Sequence, residues 1–451
     1  MIKDMTNGSE TRLLILFALP LLAGNVFQQA YNMVDSIIVG RFVGADAFAA
    51  VGTGFPVMFL IAAVMMGMAM GASVLVSQLY GAQRRPELRA ALSTCFLFLT
   101  GAALVLAVLG LLLSKPLLLI LKTPEAILPD ALSYLRIIFA GSVFMSMYNI
   151  LAAFLRALGD SRTPLYFLIL TSLLNVVMDL VFVIRLNMGV AGVAYATIIS
   201  QAVSSLLCFV YIYKKDIRVL KFSFKELVFD KGMFQKALKL GIPASGQQTL
   251  LSIGFLAVQG LVNSFGTVTM AAFFAASRIE QLVTMPNMSL AMAISTFTGQ
   301  NMGAGRIDRV KRGYRNTLSI MLVLTLATSI VVYIFGAAFI RLFLGSADDA
   351  VLLEGTAYLK TVAGFLFVFG AMFITNSLLR GAGDVNISML STAAVFAVRL
   401  SVAYMLVPVL GPASIWWSLP VAWAVGLGIA LFRYFNGNWR KKAVAFREQR
   451  S

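Results

Sequence analysis

The segment LRALGD at residues 155–160 returns, as LRGAGD, at residues 379–384. Two further pairs of short segments repeat in the same order and at nearly the same separation. They are SQLYGA at 77–82 with GQNMGA at 299–304, and LP at 19–20 with IP at 242–243. Three ordered matches indicate that the chain consists of two related halves. The sequence therefore predicts a duplicated fold with its junction near the middle of the chain.

The composition indicates a membrane protein. The 451 residues are 60% hydrophobic and 12% charged, and the mean hydropathy is +0.88, whereas soluble proteins contain about 25% charged residues. A bilayer core of about 30 Å requires about 20 apolar residues per helix. We identify twelve runs of sufficient length, and these cover residues 12–37, 47–79, 91–113, 126–157, 163–184, 190–213, 235–264, 267–300, 312–343, 350–381, 385–410 and 413–435.

The twelve runs and the repeat together predict the architecture. Each half contains six helices, and an even number gives both halves the same orientation in the membrane, as in transporters built from parallel repeats. We therefore expect an all-α polytopic membrane protein with two pseudo-symmetric six-helix lobes. The predicted divisions are an N-terminal lobe at 1–213, a cytoplasmic basic linker at 214–234, a C-terminal lobe at 235–435 and a cytoplasmic basic tail at 436–451.

The charges predict the orientation of the chain. The net charge is +17, and most of the 36 Lys and Arg residues lie in alternate loops, at the N-terminus and in the C-terminal tail. Because cytoplasmic loops are rich in Lys and Arg, both termini are expected in the cytoplasm. The same rule explains the positive charge without a nucleic-acid partner. The polar residues 1–10 do not resemble a cleaved signal peptide.

Several kinds of chemistry have no support in the sequence. The chain contains no histidine and only two cysteines, which removes the usual metal ligand and the usual proton carrier near neutral pH. No Walker-type phosphate loop and no catalytic triad is present. We therefore expect neither an enzyme nor a bound cofactor, and any energy source must be an ion gradient.

Three of the 19 acidic residues lie well within predicted helices: Asp35, Asp179 and Glu280. A carboxylate in hydrocarbon is costly and usually functional. Asn175 and Asp179 are four residues apart and share one helix face. Their oxygens suit Na⁺, and a shared proton would suit them equally well. The alternative is that the acids only form structural hydrogen bonds between helices.

Six segments are similar to those of a known family. They are the repeated segments at 78–82, 300–304, 155–160 and 379–384, together with DSIIVG at 35–40 and NVVMD at 175–179. They resemble the multidrug and toxic compound extrusion (MATE) family, and most closely its bacterial DinF-related branch. The resemblance covers nearly the whole chain. It implies a V-shaped molecule of two six-helix lobes in the bacterial cytoplasmic membrane. Such a protein exports drug-like, often cationic and amphiphilic, organic compounds in exchange for H⁺ or Na⁺. We expect a monomer in contact with membrane lipid.

The resemblance also implies roles for particular residues. A cation site in the N-terminal lobe would use Asp35, Asn175, Asp179 and Thr197, with Na⁺ possible at the first three. In the C-terminal lobe it implies substrate binding at Glu280, together with Gln247 and Gln248 of the seventh run. A structural ion pair of Glu280 with Arg399 is the alternative. The seventh run contains no acid, so the two lobes are not expected to be functionally equivalent.

Two local features predict how helices bend and pack. Pro20 removes a backbone hydrogen bond within the first helix and favours a kink. By resemblance it is a candidate hinge, although a static kink is the simpler physical interpretation. The segment GMAMGA at 67–72 forms a row of small residues that should let helices approach closely.

Other functions remain open at this stage. A lipid-linked precursor flippase of the same broad superfamily would need a cationic cavity for a pyrophosphate, but few basic residues lie within the runs, namely Arg136, Arg278, Lys360 and Arg399. An exporter of non-drug metabolites is another alternative. A non-transporting sensor or channel fits the repeat less well. The sequence does not distinguish Na⁺ from H⁺.

Overall fold

The computed structural model describes residues 3–214, 227–344 and 348–443, apart from the side chains at positions 45, 56, 57, 60 and 255. Within these residues the fold consists of twelve long helices and contains no strand. The helices are α1 (Glu10–Ile38), α2 (Ala45–Gly81), α3 (Arg85–Ile120), α4 (Leu128–Ala157), α5 (Arg162–Leu180), α6 (Gly189–Lys214), α7 (Lys231–Ser264), α8 (Thr267–Gly303), α9 (Ile307–Leu344), α10 (Asp349–Gly381), α11 (Val385–Leu410) and α12 (Ala413–Asn436). Most of the predicted linker and the end of the predicted tail lie outside the described residues.

The twelve helices correspond one to one with the twelve predicted runs, so the predicted all-α membrane fold is confirmed. Ten of them are long and apolar enough to cross a membrane. The other two, α7 and α8, have sufficient length at 34 and 37 residues, but polar residues interrupt their apolar sequence. Polar side chains within membrane helices usually face the protein interior, where they can form hydrogen bonds.

The helices form two compact units, and the chain crosses between them inside α1 and α7. The first unit is built mainly from Ala23–Ser245, and the second contains Asp4–Leu22 and Gly246–Ser451. The first unit therefore contains the beginning of α7, and the second unit contains the beginning of α1. Both crossing points lie two residues after a proline, Pro20 in α1 and Pro243 in α7. A proline lacks the backbone donor that normally stiffens a helix at this point.

In the first unit, the beginning of α7 packs directly on α2. A Cβ atom added to Gly67 would lie 2.2 Å from Cα of Ser245, and one added to Gly71 would lie 2.4 Å from the backbone nitrogen of Gly241. The hydroxyl of Ser245 also donates to the carbonyl of Val64 at 2.9 Å. The small-residue row in α2 thus permits close helix packing, as the sequence predicted.

In the second unit, the residues around the start of α1 pack on the end of α8 and the beginning of α9. The buried Met5 donates its backbone N–H to Oε1 of Gln300 at 2.9 Å, and its carbonyl accepts from Nδ2 of Asn301 at 3.1 Å. Glu10 lies 3.3 Å from Nη1 of Arg309. These contacts hold the start of α1 on the second unit, and they use the repeated Gln-x-x-Gly-Ala segment at 300–304.

Candidate functional site

Two acids meet inside the first unit. Asp35 extends from α1 and Asp179 from α5, and their side chains lie within hydrogen-bonding range of each other. Asp179 is fully buried and Asp35 is half-buried. One helical turn before Asp179, the Asn175 side chain is 1% exposed. The structure therefore brings together the three residues that the sequence proposed as the centre of a cation site.

Four oxygens of this cluster are buried and have no hydrogen-bond donor among the described residues. This is true of Oδ1 of Asp35, both carboxylate oxygens of Asp179 and the amide oxygen of Asn175. Buried polar atoms normally have partners, and two facing carboxylates repel each other unless a positive charge lies between them. A proton shared by the acids would satisfy the cluster. So would a hard cation, since it prefers several carboxylate and carbonyl oxygens.

Thr197 lies at the side of this cluster and not at its centre. Its hydroxyl, on α6, donates to the Val193 carbonyl at 3.0 Å, and it lies within hydrogen-bonding range of the Tyr31 hydroxyl. Tyr31 is in turn close enough to Asp35 and Asp179 to interact with their charges. The structure thus links Thr197 to the acids through a residue that was not among the predicted site residues.

Tyr31 and Tyr134 complete the polar surroundings of the acids. Both side chains lie close to Asp35 and Asp179. Tyr31 precedes Asp35 by four residues, so the spacing on one helix face could have identified it. Tyr134 comes from α4, and no sequence spacing connects it with the acids. The two phenols therefore add polar groups near the acids, and the Asn175 amide nitrogen is a further buried donor that has no partner among the described residues.

An apolar cluster closes one side of the site. α1 and α5 each end in a π-helical turn, Val39–Val43 and Val181–Arg185. Val39 and Val183 are buried in a cluster that also contains Tyr134, and each lies four residues after one of the acids. π-helical turns are rare and are often found at functional sites. Both buried valines thus belong to an apolar cluster that lies about one helical turn beyond the acids.

Glu280 lies in the second unit, apart from the other two acids. Its Oε2 atom accepts a hydrogen bond from the hydroxyl of Tyr358 on α10. Arg399 of α11 is near enough to interact with its charge, but no direct ion pair joins the two in the described part of the chain, and Nε of Arg399 is buried without a partner. The apolar cluster around Tyr358 includes Trp416. Among the described residues, Glu280 therefore has a hydroxyl and a nearby cation as neighbours.

The two glutamines of α7 have separate surroundings. Gln247 is 5% exposed; its amide nitrogen donates to Oγ1 of Thr392 at 3.0 Å, and its oxygen accepts from Nη1 of Arg380 at 3.5 Å. Gln248 is half-buried and also has an interaction partner. The hydrogen bonds of Gln247 therefore connect α7 with α10 and α11.

Comparison with known proteins identifies the family. The MatE family model matches residues 20–181 and 243–405, one match in each half of the chain. The chain belongs to the MATE family. Among curated relatives, the probable multidrug resistance protein YoeA of Bacillus subtilis is 32% identical over 96% of this chain and 95% of that protein. The FAD transporter of Shewanella oneidensis is 25% identical over 76% of this chain and 75% of that protein.

Solved structures confirm the MATE fold. The crystal structure of MATE in the bent conformation matches with a TM-score of 0.90 at 23% identity, covering 97% of this chain and 98% of that one. This MATE protein is accordingly a polytopic membrane transporter and not an enzyme. The relatives associate the family with the export of drugs and other compounds.

Proposed function

We propose that this MATE protein is a secondary antiporter that exports drug-like, often cationic and amphiphilic, organic compounds in exchange for H⁺ or Na⁺. The observation that supports this proposal most directly is the pair formed by the half-buried Asp35 and the fully buried Asp179. Three of its four carboxylate oxygens are buried without a donor within the described structure. A carboxylate pair in an apolar setting gains most from binding one positive charge. The free energy of the pair therefore differs between the transporter with a bound cation and the transporter without one.

The proposed coupling follows from the chemistry of this pair. When no cation is bound, the two negatively charged carboxylates face each other and repel, and this repulsion is unfavourable next to the buried apolar cluster. Binding H⁺ or Na⁺ removes this repulsion and allows α1 and α5 to pack together at the acids. Because coupling between two sites is reciprocal, an ion that favours this packed state disfavours the state that binds the exported compound, and the compound disfavours ion binding.

Each ion has a set of residues in the cluster that could bind it. Na⁺ would use oxygens of Asp35, Asp179 and Asn175, and a proton would lie between the two carboxylates. In either case Thr197 and Tyr31 offer further hydroxyl oxygens. Within the second unit, Glu280 and the two glutamines of α7 are the proposed contacts for the exported compound. Pro20 would allow α1 to bend close to the point where the chain crosses between units.

The proposed setting is the bacterial cytoplasmic membrane, with both termini in the cytoplasm and one chain as the working unit. The loop charges support this orientation. YoeA carries the name of a multidrug resistance protein, which supports drug-like compounds as substrates.

Everted membrane vesicles incubated with ethidium in the external medium test the proposal. Imposing a proton or a sodium gradient in separate experiments should drive ethidium transport by the wild type and identify the coupling ion. Asp35→Asn and Asp179→Asn should reduce this transport to the background of vesicles that lack the protein. Asp308→Asn is a matched control, since this acid is exposed at the start of α9 and pairs with Lys311 on the same helix. Gradient-driven transport by either intramembrane variant at the wild-type rate would refute the assignment.

The FAD transporter among the relatives favours a second candidate, a metabolite exporter. The same vesicles should then take up FAD under the gradient that drives the transporter, and ethidium should not compete. Competition between the two compounds would instead indicate one broad site.

A further inference from the structure

Arg380 is a buried cation without an anion. It lies in the last turn of α10 and is 8% exposed. Its guanidinium donates from Nη2 to Oγ of Ser377 at 2.6 Å and from Nη1 to Oε1 of Gln247 at 3.5 Å. No Asp or Glu among the described residues forms an ion pair with it, and burial disfavours its charged form. Both partners are neutral, whereas buried charges are normally paired.

Two other arginines in the same unit have acidic partners. Arg433 of α12 lies 2.6 Å from Asp384, and Arg309 lies 3.3 Å from Glu10. Asp384 follows Arg380 by four residues in the repeated segment, but its carboxylate faces Arg433. The acid that the sequence places nearest to Arg380 is therefore already used. The end of α10 contributes only about half of a negative charge, which does not replace a full anion.

The surroundings of Arg380 are polar, neutral and drawn from three helices. Gln247 comes from α7, Ser377 from α10 and Thr392 from α11. The Gln247 nitrogen is held by Thr392 at 3.0 Å, so its oxygen is directed to the guanidinium. Ser377 is 1% exposed and Thr392 is 7% exposed. This arrangement fixes the planar guanidinium fork while leaving most of its five N–H donors for another acceptor.

A fixed guanidinium fork with neutral polar neighbours is suited to a carboxylate or a phosphate. Arginine binds both groups through two parallel hydrogen bonds, which gives a specific geometry as well as a charge. The neutral hydroxyl and amide groups around it add no repulsion against an anion. A purely cationic ligand, in contrast, would be repelled at this position.

We propose that Arg380, positioned by Gln247 and Ser377, binds an anionic group, a carboxylate or a phosphate ester, on compounds that the protein transports. This inference rests on the proposed export function and narrows its substrate class. Accepted compounds would include apolar molecules that carry an acidic group. Asp35 and Asp179 lie in the first unit, so this anion site uses none of the residues assigned to ion coupling.

Two fluorescent probes test the inference with the full-length protein. Carboxyfluorescein represents an anionic compound and ethidium a cationic one, and each is measured for binding by anisotropy and for export in vesicles. Arg380→Gln should weaken carboxyfluorescein binding by at least about ten-fold, as expected for the loss of a charge-assisted contact. Ethidium binding should stay within about two-fold of the wild type. Arg380→Lys, which keeps the charge but not the fork, should give an intermediate affinity.

Arg84→Gln is the matched control, since Arg84 lies 3.3 Å from Glu87 and so already has an acidic partner. It should leave carboxyfluorescein binding unchanged. If Arg380→Gln does not fold, Arg380→Lys and Ser377→Ala, which removes the hydrogen bond to Nη2 of Arg380, provide the same comparison. Equal loss of both probes in a folded variant would overturn the inference and indicate a structural role.

Other results separate this inference from the proposed function. Ethidium export without carboxyfluorescein binding by the wild type would overturn the anion site and leave the export function intact. Export of neither probe would contradict the export function itself. A third result concerns lipid. Phosphatidylglycerol could co-purify with the wild type but not with Arg380→Gln, while neither protein binds carboxyfluorescein. This result would identify a lipid headgroup as the anion and overturn the inference.

Discussion

The close contact between α2 and α7 leads to a quantitative prediction at Gly71. A Cβ atom at this position would lie 2.4 Å from the backbone nitrogen of Gly241 and 2.5 Å from its Cα, whereas non-bonded carbon atoms prefer about 3.5–4.0 Å. Because both neighbouring atoms belong to the backbone, no side-chain rotation can relieve the overlap. Gly71→Ala must therefore move the beginning of α7 by about 1 Å away from α2.

The loss of stability is best measured by comparison with an alanine substitution at a second glycine that has open space around it. Gly101 lies in α3, and a Cβ atom there would meet no atom within 4 Å. Both alanine variants gain similar helix propensity, about 0.5–1 kcal/mol, so this gain cancels in the comparison. Overpacking costs about 1–3 kcal/mol, and the backbone contact places Gly71→Ala near the upper limit. We expect Gly71→Ala to be less stable than Gly101→Ala by about 2–3 kcal/mol.

Thermal unfolding of the purified variants in one detergent, at one scan rate, measures this difference. For a unit of this size the expected separation in apparent Tm is roughly 5 °C or more. Gly67→Ala should behave like Gly71→Ala, because its Cβ atom would lie 2.2 Å from Cα of Ser245. Equal Tm values for Gly71→Ala and Gly101→Ala would show that α7 does not pack on α2 as described.

Three further predictions concern the second unit. Met5→Ala removes a side chain that is 1% exposed and should lower stability by about 2–4 kcal/mol in denaturant or thermal unfolding; an unchanged stability would mean that the N-terminus does not pack on this unit. Asp384→Asn leaves Arg433 without its carboxylate at 2.6 Å and should lower the free energy of unfolding by about 2–3 kcal/mol. The double variant Asp384→Asn/Arg433→Met should recover part of this stability. Additive losses from the two substitutions would contradict the ion pair. Burial raises the pKa of Asp4, but hydrogen bonds from Thr6 and the other nearby donors outweigh it and hold that pKa below its ordinary 3.8. The stabilising effect of Asp4 is then complete above about pH 5 and is lost as the pH falls through its folded-state pKa. The Tm difference between wild type and Asp4→Asn should therefore be constant from pH 8 to 5 and shrink below pH 4. A Tm difference that changes between pH 8 and 5 would contradict this role of Asp4.

The sequence predicted the helices well because each needs only a local property. A run of about 20 apolar residues specifies a membrane helix, and the predicted run at 12–37 differs by only a few residues from α1 at Glu10–Ile38. The repeat also predicted two related halves. Asn175 and Asp179 could be identified together because their spacing places them on one helix face.

The remaining features depend on contacts between distant parts of the chain. Tyr134 approaches the acids from α4, and Met5 is held by residues almost 300 positions away. Helical periodicity carries no information about such pairs. The crossing of α1 and α7 between units was not predicted either, although Pro20 and Pro243 mark its position. The repeat shows that the two prolines correspond, but it does not reveal which unit each helix half packs on.

The most direct test of the account is the movement of the ion itself. Proteoliposomes containing the purified protein are loaded with ethidium and diluted into ethidium-free buffer, and the counterflow of H⁺ or ²²Na⁺ is recorded. We predict that the outward ethidium gradient drives one of these ions inward in the wild type and in Asp308→Asn. Neither Asp35→Asn nor Asp179→Asn should support this flux. Ion movement coupled to ethidium in a variant lacking either carboxylate would contradict the claim that this buried pair couples the ion to the exported compound.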